Sequence, residues 1–301
     1  MTMPMPPTGP RGPAQARPGR KLGPITKEAS PAHRAWLQPL REAYRASGMT
    51  IEQLERDTGW PRSKISELLR AVGRYPRWEC LRALLLALGL PDESVVALRS
   101  RWVLAAIDAN KRTGWINGCV AKDIPDSERP VHLSAFQDLY YGIYFSYAHT
   151  FLRSQAEARR AVDAVFTLLF IVWEDVLSSA NPKRFAWRML RDTVLERTPH
   201  REGYPALVEA AFDSVALRQA HDSDAELHQV EESMNLFGAV RRLPPDQLDV
   251  IVLMHLRGMR DVDAADVLGL SLGLVRSTER HAKRSLTNCL FPDRTTKEGP
   301  W

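Results

Sequence analysis

The chain has 301 residues, 41 Lys and Arg against 36 Asp and Glu, a formal net charge of +5 and 44% hydrophobic composition. Those values exclude a collagenous or wholly disordered chain and fit about two globular domains. The longest largely apolar run, Phe166 to Trp173, falls far short of the ~20 residues that span a bilayer, and Cys80, Cys119 and Cys289 are too scattered for a disulfide framework or zinc knuckle. With no export signal at its start, the expectation is a cytoplasmic protein in a reducing compartment, with no membrane partner and no metal or other cofactor.

The charge is segregated. Residues 1–115 carry a net +9, residues 116–198 none, residues 199–234 −6 and residues 235–301 +2. A basic front points to a polyanionic partner or to a solvated surface, and charge alone leaves both open. Residues 1–31 hold 8 of the 21 prolines and no aromatic residue, so the expectation there is a disordered Pro-rich, basic arm.

Helical spacing begins with Trp36, Leu37, Leu40 and Tyr44 and stops at Gly48. Thr50 with Gln53 forms a capping box for a short helix that Gly59 ends. A third helix starts at Pro61, buries Ile65, Leu68 and Leu69, and leaves Arg62, Ser63, Lys64 and Ser66 outward. Two short helices across a glycine turn, the second with a basic, polar first turn, suit a recognition helix in a major groove. The run Thr50-Ile51-Glu52-Gln53-Leu54 … Thr58-Gly59-Trp60-Pro61-Arg62-Ser63-Lys64-Ile65-Ser66 resembles the lambda-repressor/Cro-like helix-turn-helix regulators, with Glu55 in place of the usual Ala. The resemblance implies a DNA-binding domain over residues 32–115.

Glycines and prolines make residues 103–130 a mixed connector. Phe136, Leu139, Tyr140, Ile143, Tyr144 and Tyr147 then form one helix face. A second helix, Gln155 to Leu177, is apolar nearly all round, as the centre of a bundle is, and a third starts at Pro182. Phe136-x-x-Leu139-Tyr140, Val162-x-x-Val165-Phe166 with Trp173, and Phe185-Ala186-Trp187-x-x-Leu190-Arg191 resemble region 2 of extracytoplasmic-function sigma factors. That resemblance assigns residues 131–198 to a helical domain and makes Trp187, Arg188 and Arg191 candidates for −10 element or phosphate contacts. An aromatic at helical spacing is more often a core residue, so Trp187 is read as core ahead of base-stacking. Arg159-Arg160 replaces the family's acidic docking pair, Asp192 its Asn, and Thr198 to Glu202 its basic tail.

Residues 199–234 form an acidic linker, with a helix expected around Ala206 to Ala220. From Leu243-Pro244-Pro245 a helix runs to Arg257 with Leu248, Ile251, Val252 and His255 at core spacing, and Gly258 breaks it. A short helix ends at Gly269, and Ser271 caps another whose Val275, Ala282 and Leu286 face inward. The stretch 235–290 resembles sigma region 4, which turns Arg276, Ser277 and Arg280 toward a −35 element and places Lys283 and Arg284 on phosphate. Glu279 departs from that pattern by occupying an inward apolar position. Residues 291–301 read as a tail.

The expected fold is all-α: a helix-turn-helix bundle, a sigma-region-2-like bundle and a sigma-region-4-like helix-turn-helix. No catalytic motif is present, so an enzyme is not expected. The expected function is a transcriptional regulator that binds double-stranded promoter DNA through both units, with RNA polymerase core or a regulatory protein as further partners. An active sigma factor and a protein-binding adaptor with vestigial DNA binding stay open as alternatives.

Overall fold

The computed structural model describes residues 22–123, 129–207 and 234–291. The fold is all-α, and the strands among the described residues are the two-residue antiparallel pair His200–Arg201 and Tyr204–Pro205. It divides into two compact units between Val96 and Ala97.

In the first unit, α1 (Pro31–Ser47), α2 (Ile51–Thr58), α3 (Arg62–Arg70) and α4 (Trp78–Ala87) surround Trp36, Leu37, Leu40, Leu54, Ile65, Trp78, Leu81 and Leu85, all buried. The expected disordered arm through residue 31 is corrected for its described part. Thr26 N–H donates to the Arg70 carbonyl, and the buried Arg41 guanidinium ties the carbonyls of Gly23 (2.9 Å) and Leu69 together. These are backbone acceptors, which composition does not register.

The unit boundary falls inside α5 (Asp92–Asp108), not at residue 115. The C-terminal half of α5 and α6 (Thr113–Val120) pack into the second unit, where the sequence pointed to a connector. Thr113 N–H donates to Glu196 at 2.9 Å, Thr113 and Thr193 share a hydroxyl bond at 3.0 Å, and Ser100 donates to Asp175. Gly114 and Gly118 lie within α6, so they interrupt nothing.

The core of the second unit is α8 (Gln155–Leu177), which packs against α6, α7 (Val131–Phe151) and α9 (Pro182–Arg197). Tyr140, Tyr144 and Tyr147 turn inward from α7, while Leu139, expected on the same face, is 64% exposed. After a helical stretch at 234–240 (α10), α11 (Pro245–Ile251) passes into a π turn, Val252–Leu256. α12 (Asp261–Leu268) and α13 (Leu272–Leu290) complete the unit. The helix expected at 206–220 lies, from residue 208 on, outside the described residues, and its first two residues, Ala206 and Leu207, are not helical; the tail beyond 291 also lies outside them. No described helix is long and apolar enough to cross a membrane, and no described cluster of His, Cys, Asp or Glu could hold a metal.

Candidate nucleic-acid interface

The first turn is built by local chemistry. Thr50 Oγ accepts from Gln53 N–H at 3.2 Å and the Gln53 side chain accepts from Thr50 N–H at 2.7 Å, a complete capping box. Gly59 takes φ +71°, which lets the chain leave α2 in the left-handed region at no side-chain cost. Pro61, at the N-cap of α3, offers no capping side chain; Glu55 supplies one from α2, accepting from Arg62 N–H at 3.3 Å and from Arg62 Nε at 2.5 Å. Glu55 therefore reaches across the turn to the next helix. The Arg62 guanidinium beside it holds its carboxyl below the usual range.

The expected contact residues lie on the outer face of α3. Arg62, Ser63 and Lys64 are exposed and Ser66 is half-buried. Arg62 Nη2 also donates to Glu52 at 3.1 Å, and Lys64 pairs with Glu67 at 2.9 Å.

The second turn repeats the plan with a different clamp. Gly269 takes φ +63°, and Ser271 Oγ caps α13 by accepting from Leu274 N–H at 3.3 Å. Arg276, Arg280, Lys283 and Arg284 are exposed along α13 and Ser277 is half-buried. Arg276 Nε donates to Asp261 at 2.8 Å, and Lys283 pairs with Glu279 at 2.7 Å. Arg280 and Arg284 have no partner among the described residues.

Glu279 is satisfied by Lys283 and by His255 at 2.9 Å, and Lys283 draws its carboxyl below the usual range. His255, expected in the core, is exposed. The π turn at Val252–Leu256 adds a residue to the winding and rotates position 255 out of the buried stripe.

A polar junction joins the helices around this second turn to the helical bundle. Asp249, 1% exposed, accepts from Tyr147 Oη at 2.7 Å, from Trp187 Nε1 at 2.8 Å and from Arg191 Nη1 at 3.4 Å. Burial pushes the carboxyl of Asp249 upward and the Tyr147 hydroxyl well above its ordinary value. Around this centre, Asp246 accepts from Arg184 at 2.8 Å and Arg191 at 3.2 Å, and Asp266 accepts from Tyr140 at 2.7 Å and from Lys183. Asn181 Nδ2 donates to the Gly269 carbonyl at 2.7 Å.

This junction corrects two candidate contacts. Trp187 is fully buried with its indole N–H committed to Asp249, so its ring offers no face to a base. Arg191 is held by Asp246 and Asp249. Arg188 alone of the three is exposed. The sequence reading missed Asp249, although an acid inside the apolar run Leu248, Val250, Ile251 and Val252 was a usable signal.

A family model described as a helix-turn-helix domain matches residues 36–98. No curated protein matches the chain. The match begins inside α1, takes in α2 to α4 and ends inside α5, beside the limit of the first compact unit. The first unit is a helix-turn-helix DNA-binding domain, and its presence supports a transcriptional regulator with DNA as its partner.

Proposed function

We propose that the chain is a DNA-binding transcriptional regulator with a sigma-factor-like body, which engages promoter DNA through both helix-turn-helix units and contacts RNA polymerase through the body. The observation that carries it is the shared construction of the two turns. In each, a left-handed glycine ends a short helix, and the helix that follows exposes an arginine held by an acid of that short helix. Arginine and lysine on such a face read base edges and phosphates.

The regulator is favoured over an active promoter-opening sigma factor because opening needs unstacked bases held on exposed aromatics, and Trp187 is sealed beneath Asp249. The exposed Arg159 and Arg160, in place of an acidic docking pair, favour the same choice.

Full-length protein is tested for binding to a pool of genomic duplex fragments at low salt, beside Arg62→Ala/Lys64→Ala and Arg276→Ala/Arg280→Ala. Loss of binding in each double variant, with no run-off transcripts above core polymerase alone, is the expected result. Transcripts above that background establish the active sigma reading. Absence of binding by the parent protein leaves the adaptor.

A further inference from the structure

The two clamped arginines differ in which part of the guanidinium is taken. Arg62 gives Nε to Glu55 and Nη2 to Glu52, so one of its two terminal amines is already engaged. Arg276 gives only Nε to Asp261. Among the described residues nothing takes its Nη1 or Nη2, and its side chain is 59% exposed. Asp261 is itself pinned. Its Oδ1 accepts from Val262 N–H at 2.8 Å, so the Oδ2 that holds Arg276 has a fixed direction from the first turn of α12.

A guanidinium gripped at Nε keeps its flat end, Nη1 with Nη2, aimed along the side-chain axis. That end matches the O6 and N7 acceptors of guanine in the major groove. Arg276 is the fifth residue of α13, in the N-terminal part of a helix that in this architecture reaches base edges. A carboxylate at the same place also opposes loose phosphate binding, because it removes part of the positive potential that non-specific association uses.

We infer that Asp261 is a positioning residue that presents the free end of Arg276 to a guanine, so that the second helix-turn-helix reads a G·C pair and discriminates against non-specific DNA. The inference rests on the reading of that unit as DNA-binding. It assigns Arg276 a base contact, where a cation without the clamp makes a backbone contact.

The test uses full-length protein and two probes: a duplex pool with a randomised 20-base-pair core, sequenced after selection, and a poly(dA-dT) duplex titrated at fixed salt. Wild type is expected to enrich a motif in which Arg276→Ala erases the preference for one guanine and weakens the best duplex roughly tenfold or more. Asp261→Ala is expected to reduce that guanine preference while binding poly(dA-dT) several-fold more tightly, a pair of opposite changes that loss of folding does not produce. Asp261→Asn keeps an acceptor without the charge, so it is expected to retain most of the guanine preference and still bind poly(dA-dT) more tightly. An enriched motif that Arg276→Ala leaves unchanged overturns the inference; the reading of that unit as DNA-binding stands if Arg280→Ala/Arg284→Ala still weakens the best duplex, and falls with the inference if it does not. So does Asp261→Ala weakening both probes by one factor. No enriched motif for the wild type overturns the reading and the inference together.

Discussion

Asp249 shows how one acid in an apolar helix sets the environment of residues far away in sequence. Its carboxylate faces three donors, the Tyr147 hydroxyl, the Trp187 indole and the Arg191 guanidinium, none of which has another buried acceptor of comparable quality among the described residues. Removing it strands the Tyr147 hydroxyl and the Trp187 indole N–H, and leaves Arg191 to Asp246. Breaking a buried pair by deleting one partner costs about 3–5 kcal/mol, because the remaining charge and dipoles stay desolvated. Asp249→Ala is therefore expected to destabilise the second unit by about that amount, measured by denaturant unfolding of the full chain. Asp249→Asn retains an acceptor for the donors and should lose less. Equal losses in the two variants would mean that the negative charge of Asp249, and not a neutral acceptor of the same volume, supports the junction.

At the scale of elements, the two turns were legible because their signals are local. The capping box at Thr50, the glycines at 59 and 269, and the Ser271 cap each depend on residues within one turn of helix, and each is present in the structure. What was not legible depends on distant partners or on winding. The π turn displaces His255 from a correctly spaced stripe. Leu139 shares its spacing with Tyr140 yet faces outward, because the aromatic cluster of Phe136, Tyr140, Tyr144 and Phe166 fixes the rotation of α7. The docking of α12 on α9 had no sequence signature at all. The two turn glycines expose that difference. A Cβ at Gly59 would meet nothing within 4 Å, whereas one at Gly269 would lie 2.6 Å from Arg184 N and from Asn181 Oδ1. Gly59→Ala should cost about 1–2 kcal/mol, the left-handed penalty alone. Gly269→Ala adds an overpacking term of about 1–3 kcal/mol and should be clearly the worse of the two in parallel urea titrations. Equal costs would contradict the close approach of α9 to that turn.

On the scale of the whole molecule, the division between Val96 and Ala97 gives each unit its own core and its own response to acid. In the first, His33 stacks on Trp36 at 4.8 Å and lies 5.2 Å from Tyr75, and burial, with Arg34 nearby, lowers its affinity for a proton. A histidine lowered in the folded state contributes stability that is present above its unfolded value near 6.5 and is lost as pH falls through the folded value. In the second unit, Lys183 holds Asp266 below the carboxylate range, and Arg184 with Arg191 does the same for Asp246 against the opposing effect of burial. Their contribution persists until the pH falls below the ordinary carboxylate range near 4. Asp249 and Glu196, raised by burial, have the opposite sign and lose their contribution only as pH rises through their folded values. Calorimetry of the full chain should therefore resolve two transitions. Acidification from pH 7.5 to 5.5 should lower one of them, and His33→Phe should abolish that shift. Asp249→Ala should lower the other at either pH. A single transition that moves with both perturbations would mean that α5, which crosses the boundary, couples the two cores into one cooperative fold.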